Sequence, residues 1–298
     1  MPAAAVIIRS CNERALIGRC LEGVLAQDFP DGHEVVVVDS GSTDGTLEIV
    51  RSFASVRLVT LAPAEFTYGR ALNLGVRQAA GGVSWLAFLS AHAVPQGGAW
   101  LRNLVAPMRG PPAVAGVYGR QVPWPDHLAN PIVRHLARNG YRECYGEQSF
   151  VSREAPYFSN ANAAIRRDCW EAHPFDEALP YAEDWKWSRD VRQSGQAIAY
   201  AADAAVWHSH AESGRRFLRR RRCEERGMIA LEPAAGARRR WWHYGRDLAR
   251  VVGRNSRLLG QGRLGGSAWA DAVYTEALIA TAVYLERRRP SPGAGREP

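Results

Sequence analysis

Between residues 4 and 118 the hydrophobic positions switch repeatedly between two rhythms. Short apolar runs at Ala4–Arg9, Glu34–Asp39, Val56–Thr60, Val83–Ser90 and Val114–Gly119 have the length and branched content of strands buried on both faces. The stretches between them carry helical spacing. Leu16, Ile17, Cys20, Leu21, Val24 and Leu25 recur on one face, with Asn12 placed to cap that helix. Leu47, Ile49, Val50 and Phe53 form a second, shorter set, and further helices are expected near Arg70–Ala80 and Ala99–Met108. This alternation predicts an α/β fold: a right-handed, doubly wound, mostly parallel sheet flanked by helices, with ligands at the carboxyl ends of its strands.

Residues 120–158 break the rhythm. Pro123, Trp124, Pro125, Pro131, Tyr141, Tyr145 and Tyr157 are scattered through them, which predicts a long excursion with little regular structure. A return strand over Ser159–Arg166, a helix over Glu183–Gln193 and two short strands, Ala197–Tyr200 and Ala204–Trp207, then close the domain. Beyond Gly214 the chain becomes helical and basic. Leu248, Val251, Val252, Asn255 and Leu259 line one helical face, and a second helix over about Trp269–Glu286 carries Val273, Ala277, Ala280 and Tyr284. The expected division is a globular domain over 1–212, a basic amphipathic segment over 213–289 and a disordered Pro/Gly-rich tail over 290–298.

Charge sharpens that division. Residues 1–212 hold 19 basic and 22 acidic side chains, whereas 213–289 hold 18 arginines against 7 acids, so the net +8 of the chain resides in the C-terminal segment. Lys186 is the one lysine among 38 basic residues, a coding bias that leaves the choice of arginine uninformative by itself. No apolar run approaches the roughly 18 residues of a membrane span, and the start lacks the pattern of a secretory signal. Five scattered cysteines, an odd number without a CxxC, fit a reducing cytoplasm. Arginine-bearing helices beside Trp241, Trp242, Tyr244 and Trp269 suit an anionic membrane surface, at roughly 1 kcal/mol per arginine near it, or else a solvated appendage. Nucleic acid is the weakest of these partners: Arg238–Arg240 beside aromatics permits it, but no recognition fold is evident.

Four polar clusters stand at the ends of predicted strands. Asp39 closes a buried strand and precedes the turn Ser40-Gly41-Ser42-Thr43-Asp44-Gly45. It suits a base N–H or a ribose hydroxyl, and the plainer reading is an Asx turn in which Asp44 satisfies local amides. His92, in Ser90-Ala91-His92, reads as a metal ligand, a phosphate partner or a structural imidazole. Glu183-Asp184 opens a helix, where carboxylates are natural caps; alternatively Trp185 and Trp187 wall in a carboxylate and raise its pKa, as a general base requires. His208 and His210 close the last strand with alternate facing, so one of the two points into a site.

The segments SCNE, EVVVVDSGSTDGT, GRALNLG, FLSAHAVP, FSNANAAIRRDCWE and AEDWKWSRDVRQSG occur in an order and spacing that resembles the family-2 glycosyltransferases, over about residues 4–212. These are inverting, nucleotide-sugar-dependent enzymes with the fold called GT-A, and the FLSAHAVP and FTYGRALN segments look most like the bacterial rhamnosyltransferase branch. The resemblance implies that Ser10, Glu13 and Asp39 line the nucleoside pocket, with Ser40 standing where the family has a second acid. Ser90-Ala91-His92 falls where the family carries Asp-x-Asp, which holds Mg²⁺ or Mn²⁺ against the diphosphate. Either His92 with His208 or His210 holds a softer divalent ion such as Mn²⁺, or metal dependence is weak. Leu72-Asn73 replaces an Arg-Asn pair, leaving Arg70 as the nearby phosphate candidate. Asp184 matches the catalytic base, with Glu183 beside it, and Asn160, Asn162 and Trp185 fall on the acceptor side. The implied activity is transfer from a nucleotide-diphosphate sugar, with dTDP-rhamnose or a UDP-sugar as candidates. The acceptor would be a saccharide or polyprenyl-linked hydroxyl in cell-surface polysaccharide synthesis, at the inner face of the plasma membrane. The alternative is a non-catalytic sugar-nucleotide-binding subunit of a polysaccharide assembly complex.

Overall fold

The computed structural model describes residues 2–110, 114–140, 146–154, 157–231 and 265–287, with scattered positions between 246 and 262. Trp241, Trp242, Tyr244, the Arg238–Arg240 run, Leu248, Val251, Asn255 and the tail lie outside the described residues. The helices in chain order are α1 (Ile17–Leu25), α2 (Thr46–Arg51), α3 (Tyr68–Gln78), α4 (Trp100–Val105), α5 (Pro131–His135), α6 (Arg167–Ala172), α7 (Glu183–Gln193), α8 (Gly214–Leu231) and α9 (Gly266–Arg287). The chain forms two compact units. The first comprises Met1–Trp124, Tyr141–Leu179 and Glu183–Ser209, and the second Pro125–Gly140, Pro180–Ala182 and His210–Pro298.

The first unit is built on a nine-stranded sheet ordered β3-β2-β1-β4-β8-β6-β9-β5, with β7 also on β9. Its strands are β1 (Ala4–Ser10), β2 (His33–Asp39), β3 (Val56–Thr60), β4 (Trp85–Ser90), β5 (Val94–Pro95), β6 (Val114–Val122), β7 (Phe150–Ser152), β8 (Asn162–Arg166) and β9 (Ala197–Trp207). Strands β3, β2, β1 and β4 are mutually parallel, as the continuous apolar runs predict. The return strand β8 is antiparallel to both β4 and β6, which makes the sheet mixed. The two short closing strands are one 11-residue strand, β9, paired with β6 through two register shifts. Small residues (Ala197, Ala199, Ala201, Ala202, Ala204) let that strand stay buried through the irregularity.

Side chains alternate across the sheet and feed two cores. Val6, Ile8, Val35 and Val37 join α1 and α4 on one face. Ile7, Val36, Val38 and Phe88 join α3 and Trp187 on the other. Asn12 does not cap α1. That helix starts at Ile17 behind Leu16 without a side-chain cap, because Asn12 is held in a left-handed turn (φ 56°) by contacts to residues 42 and 43.

In the second unit α9 packs on α8 and α5. On α9, Asp271, Ala272, Thr275, Ala282 and Glu286 are buried, whereas Val273, Ala277, Ala280 and Tyr284 are partly exposed. Two carboxylates lie on that buried face because each has an arginine partner. Arg134 forks onto Asp271 through Nε (2.8 Å) and Nη2 (3.0 Å). Arg222 and Arg226 converge on Glu286 at 2.5 and 2.6 Å. Burial opposes the charge on Glu286, but the two guanidinium groups prevail and hold its pKa below the usual carboxylate range. Among the described positions from Arg246 to Gly260 the chain is helical. No helix of the described residues is long and apolar enough to cross a membrane.

Helix α3 lies close against the sheet at Gly75, where a Cβ would meet Ile7 Cγ2, with Val38 Cγ2 next at 3.1 Å. A helical Gly→Ala change ordinarily gains up to about 1 kcal/mol. Gly75→Ala should reverse that sign and cost about 1–3 kcal/mol through overpacking, read as a lower urea midpoint.

Candidate active site

Parallel register assembles the site. Ser10 pairs with Asp39 of β2, and Arg9 with Ser90 of β4, so all four stand at one carboxyl edge. Asp39 is fully buried, and its carboxylate holds the turn that follows it. Its Oδ1 accepts from the amides of Gly41 (3.0 Å) and Ser42 (2.8 Å), and its Oδ2 from the Ser42 hydroxyl (2.6 Å). Gly41 is required here: φ is +95° and a Cβ would meet Pro63 at 2.5 Å. Asp44 accepts from the Thr46 hydroxyl (2.5 Å) and amide (3.0 Å), and that hydroxyl is the main reason its pKa falls. The Asx turn is therefore real, and Asn12 stitches it to the loop after β1 by donating its amide to Ser42 Oγ at 2.7 Å. Ser10 Oγ is buried and has no hydrogen-bond partner among the described residues.

Glu13 is drawn to His92 rather than to Asp39. Its amide donates to Thr46 Oγ1 (2.8 Å), and its Oε1 lies 2.8 Å from His92 Nδ1. His92 Nε2 in turn lies 3.1 Å from His208 Nε2, with the two rings stacked at 4.9 Å. His208 is pinned by donating its amide to the Val122 carbonyl at 2.8 Å. With Glu13 on Nδ1, the His92 ring is oriented so that Nε2 faces His208 Nε2, the arrangement in which a carboxylate orients a metal-binding imidazole. Two nitrogens at right angles around one ion at roughly 2.1 Å stand about 3.0 Å apart, so the spacing fits a shared cation. The donors are nitrogen, which suits Mn²⁺ or Zn²⁺ and not Mg²⁺. His210, two residues on, is in the second unit. The Ser90 amide donates to the Ala161 carbonyl, and its own carbonyl accepts from Ala93, which shapes the turn carrying His92.

Glu183 and Asp184 open α7, on the face that also carries Trp187. Asp184 Oδ2 accepts from the Asn160 amide (3.2 Å) and Oδ1 from its neighbour Trp185 (2.9 Å), while Asn160 Nδ2 donates to Glu183 Oε1 at 3.3 Å. Burial first and the Glu183 charge second push the Asp184 pKa up to about 8, against the two amides and Arg9. Trp187 supplies the apolar wall expected of it, packed in the core against Phe158 and Phe175. Trp185 is half-buried, edge-on to Tyr157 at 5.9 Å. Asn160 is fully buried with Oδ1 unpartnered.

Two predicted site residues have partners of their own. Asn162 is a core crosslink: Oδ1 accepts from Trp100 Nε1 (2.9 Å), and Nδ2 donates to the carbonyls of Arg120 (3.1 Å) and Ala204 (2.8 Å). Arg70 lies on the surface, paired with Glu65 at 3.1 Å. Sequence reasoning passed over Arg9, whose guanidinium sits 4.5 Å over the Tyr68 ring. The signal for it was present, since it is the one charge in a strand otherwise apolar up to Ser10.

The fold is that of a GT-A protein, and the family follows from sequence. Residues 5–172 match the glycosyl transferase family 2 model, and the chain belongs to that family. It is 31% identical over 216 residues to the O-antigen chain rhamnosyltransferase RfbN of Salmonella typhimurium, covering 69% of this chain and 66% of that protein. It is 30% identical over 197 residues to the O-antigen chain rhamnosyltransferase WbaN of Salmonella anatum, covering 63% and 60%. The chain thus spans just under two thirds of these relatives. Mannosyltransferase PcManGT from Pyrobaculum calidifontis, solved with GDP-Man and Mn²⁺, shares the fold at 20% identity with a TM-score of 0.64, over 97% of this chain and 88% of that one.

The raised Asp184 pKa has a thermodynamic sign. The folded state retains a proton that the unfolded carboxyl releases near its ordinary 3.8, so this stabilisation is full below about pH 4 and is lost as pH rises to about 8. Asp184→Asn carries no such proton. It should melt above wild type at pH 8, with the gap closing towards pH 5.

Proposed function

We propose that the protein is an inverting glycosyltransferase that moves a sugar from a nucleotide-diphosphate donor to a hydroxyl acceptor. The observation that carries this is Asp184, a carboxylate at the carboxyl edge whose pKa burial and Glu183 raise into the range useful to a general base. In the proposed step Asp184 takes the proton of the acceptor hydroxyl as that oxygen bonds to the anomeric carbon. The bond from that carbon to the diphosphate breaks, and its electron pair leaves on the diphosphate oxygen. General-base help of this kind is worth roughly 10²–10⁴ in rate.

The amides of Asn160 and Trp185 fix the direction of the Asp184 carboxylate, and Glu183 keeps its proton affinity high. Asp39 and the turn it organises form one wall for the nucleoside, with Ser10 Oγ available to it. His92 and His208 are the ligands proposed for a divalent ion, and Glu13 sets the tautomer of His92. Such an ion, when bound, would supply positive charge for the departing diphosphate.

The O-antigen rhamnosyltransferase relatives support dTDP-rhamnose as donor and a saccharide or lipid-linked acceptor in cell-surface polysaccharide synthesis. A UDP-sugar is the competing donor. An anionic membrane surface fits the start of α8, where Arg215, Arg216 and Arg219 are exposed, whereas Arg220, Arg221, Arg222 and Arg226 are held in ion pairs.

Calorimetry with dTDP, UDP and GDP, with and without Mn²⁺, tests the donor. One nucleotide should bind selectively and more tightly with Mn²⁺, and His92→Ala should abolish the Mn²⁺ increment while sparing binding in EDTA. Asp184→Asn should keep nucleotide affinity and lose about 10²–10⁴ of turnover. Nucleotide binding without any wild-type turnover would instead favour a non-catalytic subunit.

A further inference from the structure

Arg9 is a cation without a counter-charge in a site full of polar groups. It is the penultimate residue of β1, level with Val38 and Ser90 at the carboxyl edge of the two neighbouring strands. The rest of β1 is buried, and Arg9 alone reaches partly into the open. Its Nε is buried with no hydrogen-bond partner, and among the described residues its guanidinium makes no hydrogen bond or ion pair. A guanidinium taken from water without a partner is costly, and stacking on Tyr68 at 4.5 Å returns only part of that cost. Other arginines of this unit are committed: Arg14 to Asp44, Arg70 to Glu65, Arg77 to Glu177 and Arg120 to Glu147.

The charge that Arg9 does feel is that of Asp184, yet no hydrogen bond joins them; the Asp184 oxygens accept from the amides of Asn160 and Trp185. Asp184 and Arg9 are thus a base and a cation that act on each other without a hydrogen bond between them. An in-line displacement needs that arrangement, with the base on the attacking oxygen and positive charge on the leaving group. Tyr68 holds the guanidinium in place, so little side-chain freedom remains to be lost when an anion arrives.

We propose that Arg9 binds the diphosphate of the nucleotide-sugar donor, through its Nη donors, and steadies the negative charge that grows there as the sugar leaves. The inference rests on the glycosyltransferase reading above and adds to it a cation supplied by the chain itself, on the sheet face opposite to the one that Ser10 shares with Ile8. Arg70, the phosphate candidate nearest in the sequence, is instead paired with Glu65.

The test compares wild type, Arg9→Met and Arg9→Lys by calorimetry with dTDP, UDP and GDP, and by saturation-transfer NMR with the corresponding nucleosides, all in EDTA. Methionine keeps the apolar stem against Tyr68 and removes the charge; lysine restores the charge without the fork. Diphosphate affinity should fall tenfold or more in Arg9→Met and recover in part in Arg9→Lys, while nucleoside binding stays at the wild-type level. Wild-type diphosphate affinity in Arg9→Met overturns the proposal, and so does a shift in the pH–rate profile with donor affinity unchanged, which would make Arg9 a tuner of Asp184 only. Equal loss of nucleoside and diphosphate in both variants also overturns it, since that reports a collapsed pocket. Failure of the wild type to bind any of the three diphosphates, in EDTA and with Mn²⁺ added alike, overturns the transferase reading itself.

Discussion

The chemistry at this edge depends on the register at which β1 lies between β2 and β4. Ala4 through Ile8 are fully buried, and each finds a parallel partner on both sides. That double pairing is specified by side chains alternating into two cores, so a slip by one residue would send Ile7 and Arg9 to the face of Val6 and Ile8. With the register fixed, residues far apart in sequence arrive at one level without further adjustment. Arg9, Ser10, Asp39 and Ser90 are there because the strands behind them are apolar.

The second constraint is dryness around Asp184. Trp187, Phe158 and Phe175 fill the space behind α7 and remove water from the first turn of that helix. Two amides orient the carboxylate, but Glu183 sits beside it and both carboxylates draw on Asn160. A charged Asp184 is therefore held in a well-defined place and made costly there. The strain is electrostatic, and it lies at the residue whose proton affinity matters most to the proposed reaction.

The strands, the parallel core and the Glu-Asp helix start were legible in the sequence because each is a local pattern: an apolar run, a helical period, a pair of acids before a helix. What was not legible depends on who meets whom across the sheet. Asn12 has the composition of a cap, but residues 42 and 43, thirty positions away, claim it. Asn162 sits in a segment whose order matches an acceptor loop, yet Trp100 and two carbonyls use all its hydrogen-bonding groups. Glu13 reads as a pocket residue and is bound to an imidazole that only the fold brings near. On α9 no sequence pattern marks Asp271 and Glu286 for burial, which depends on arginines from α5 and α8.

Those carboxylates give the arginine excess a second meaning. A genome biased towards arginine codons supplies the residue everywhere, and most such positions would accept lysine. Arg134 would not, since it grips Asp271 with two nitrogens at once, a planar fork that a single ammonium cannot reproduce. Glu286 is likewise matched to two guanidinium groups arriving from successive turns of one helix. At these three positions the abundant residue is also the fitting one, because its planar guanidinium is what the buried carboxylates of α9 are matched to.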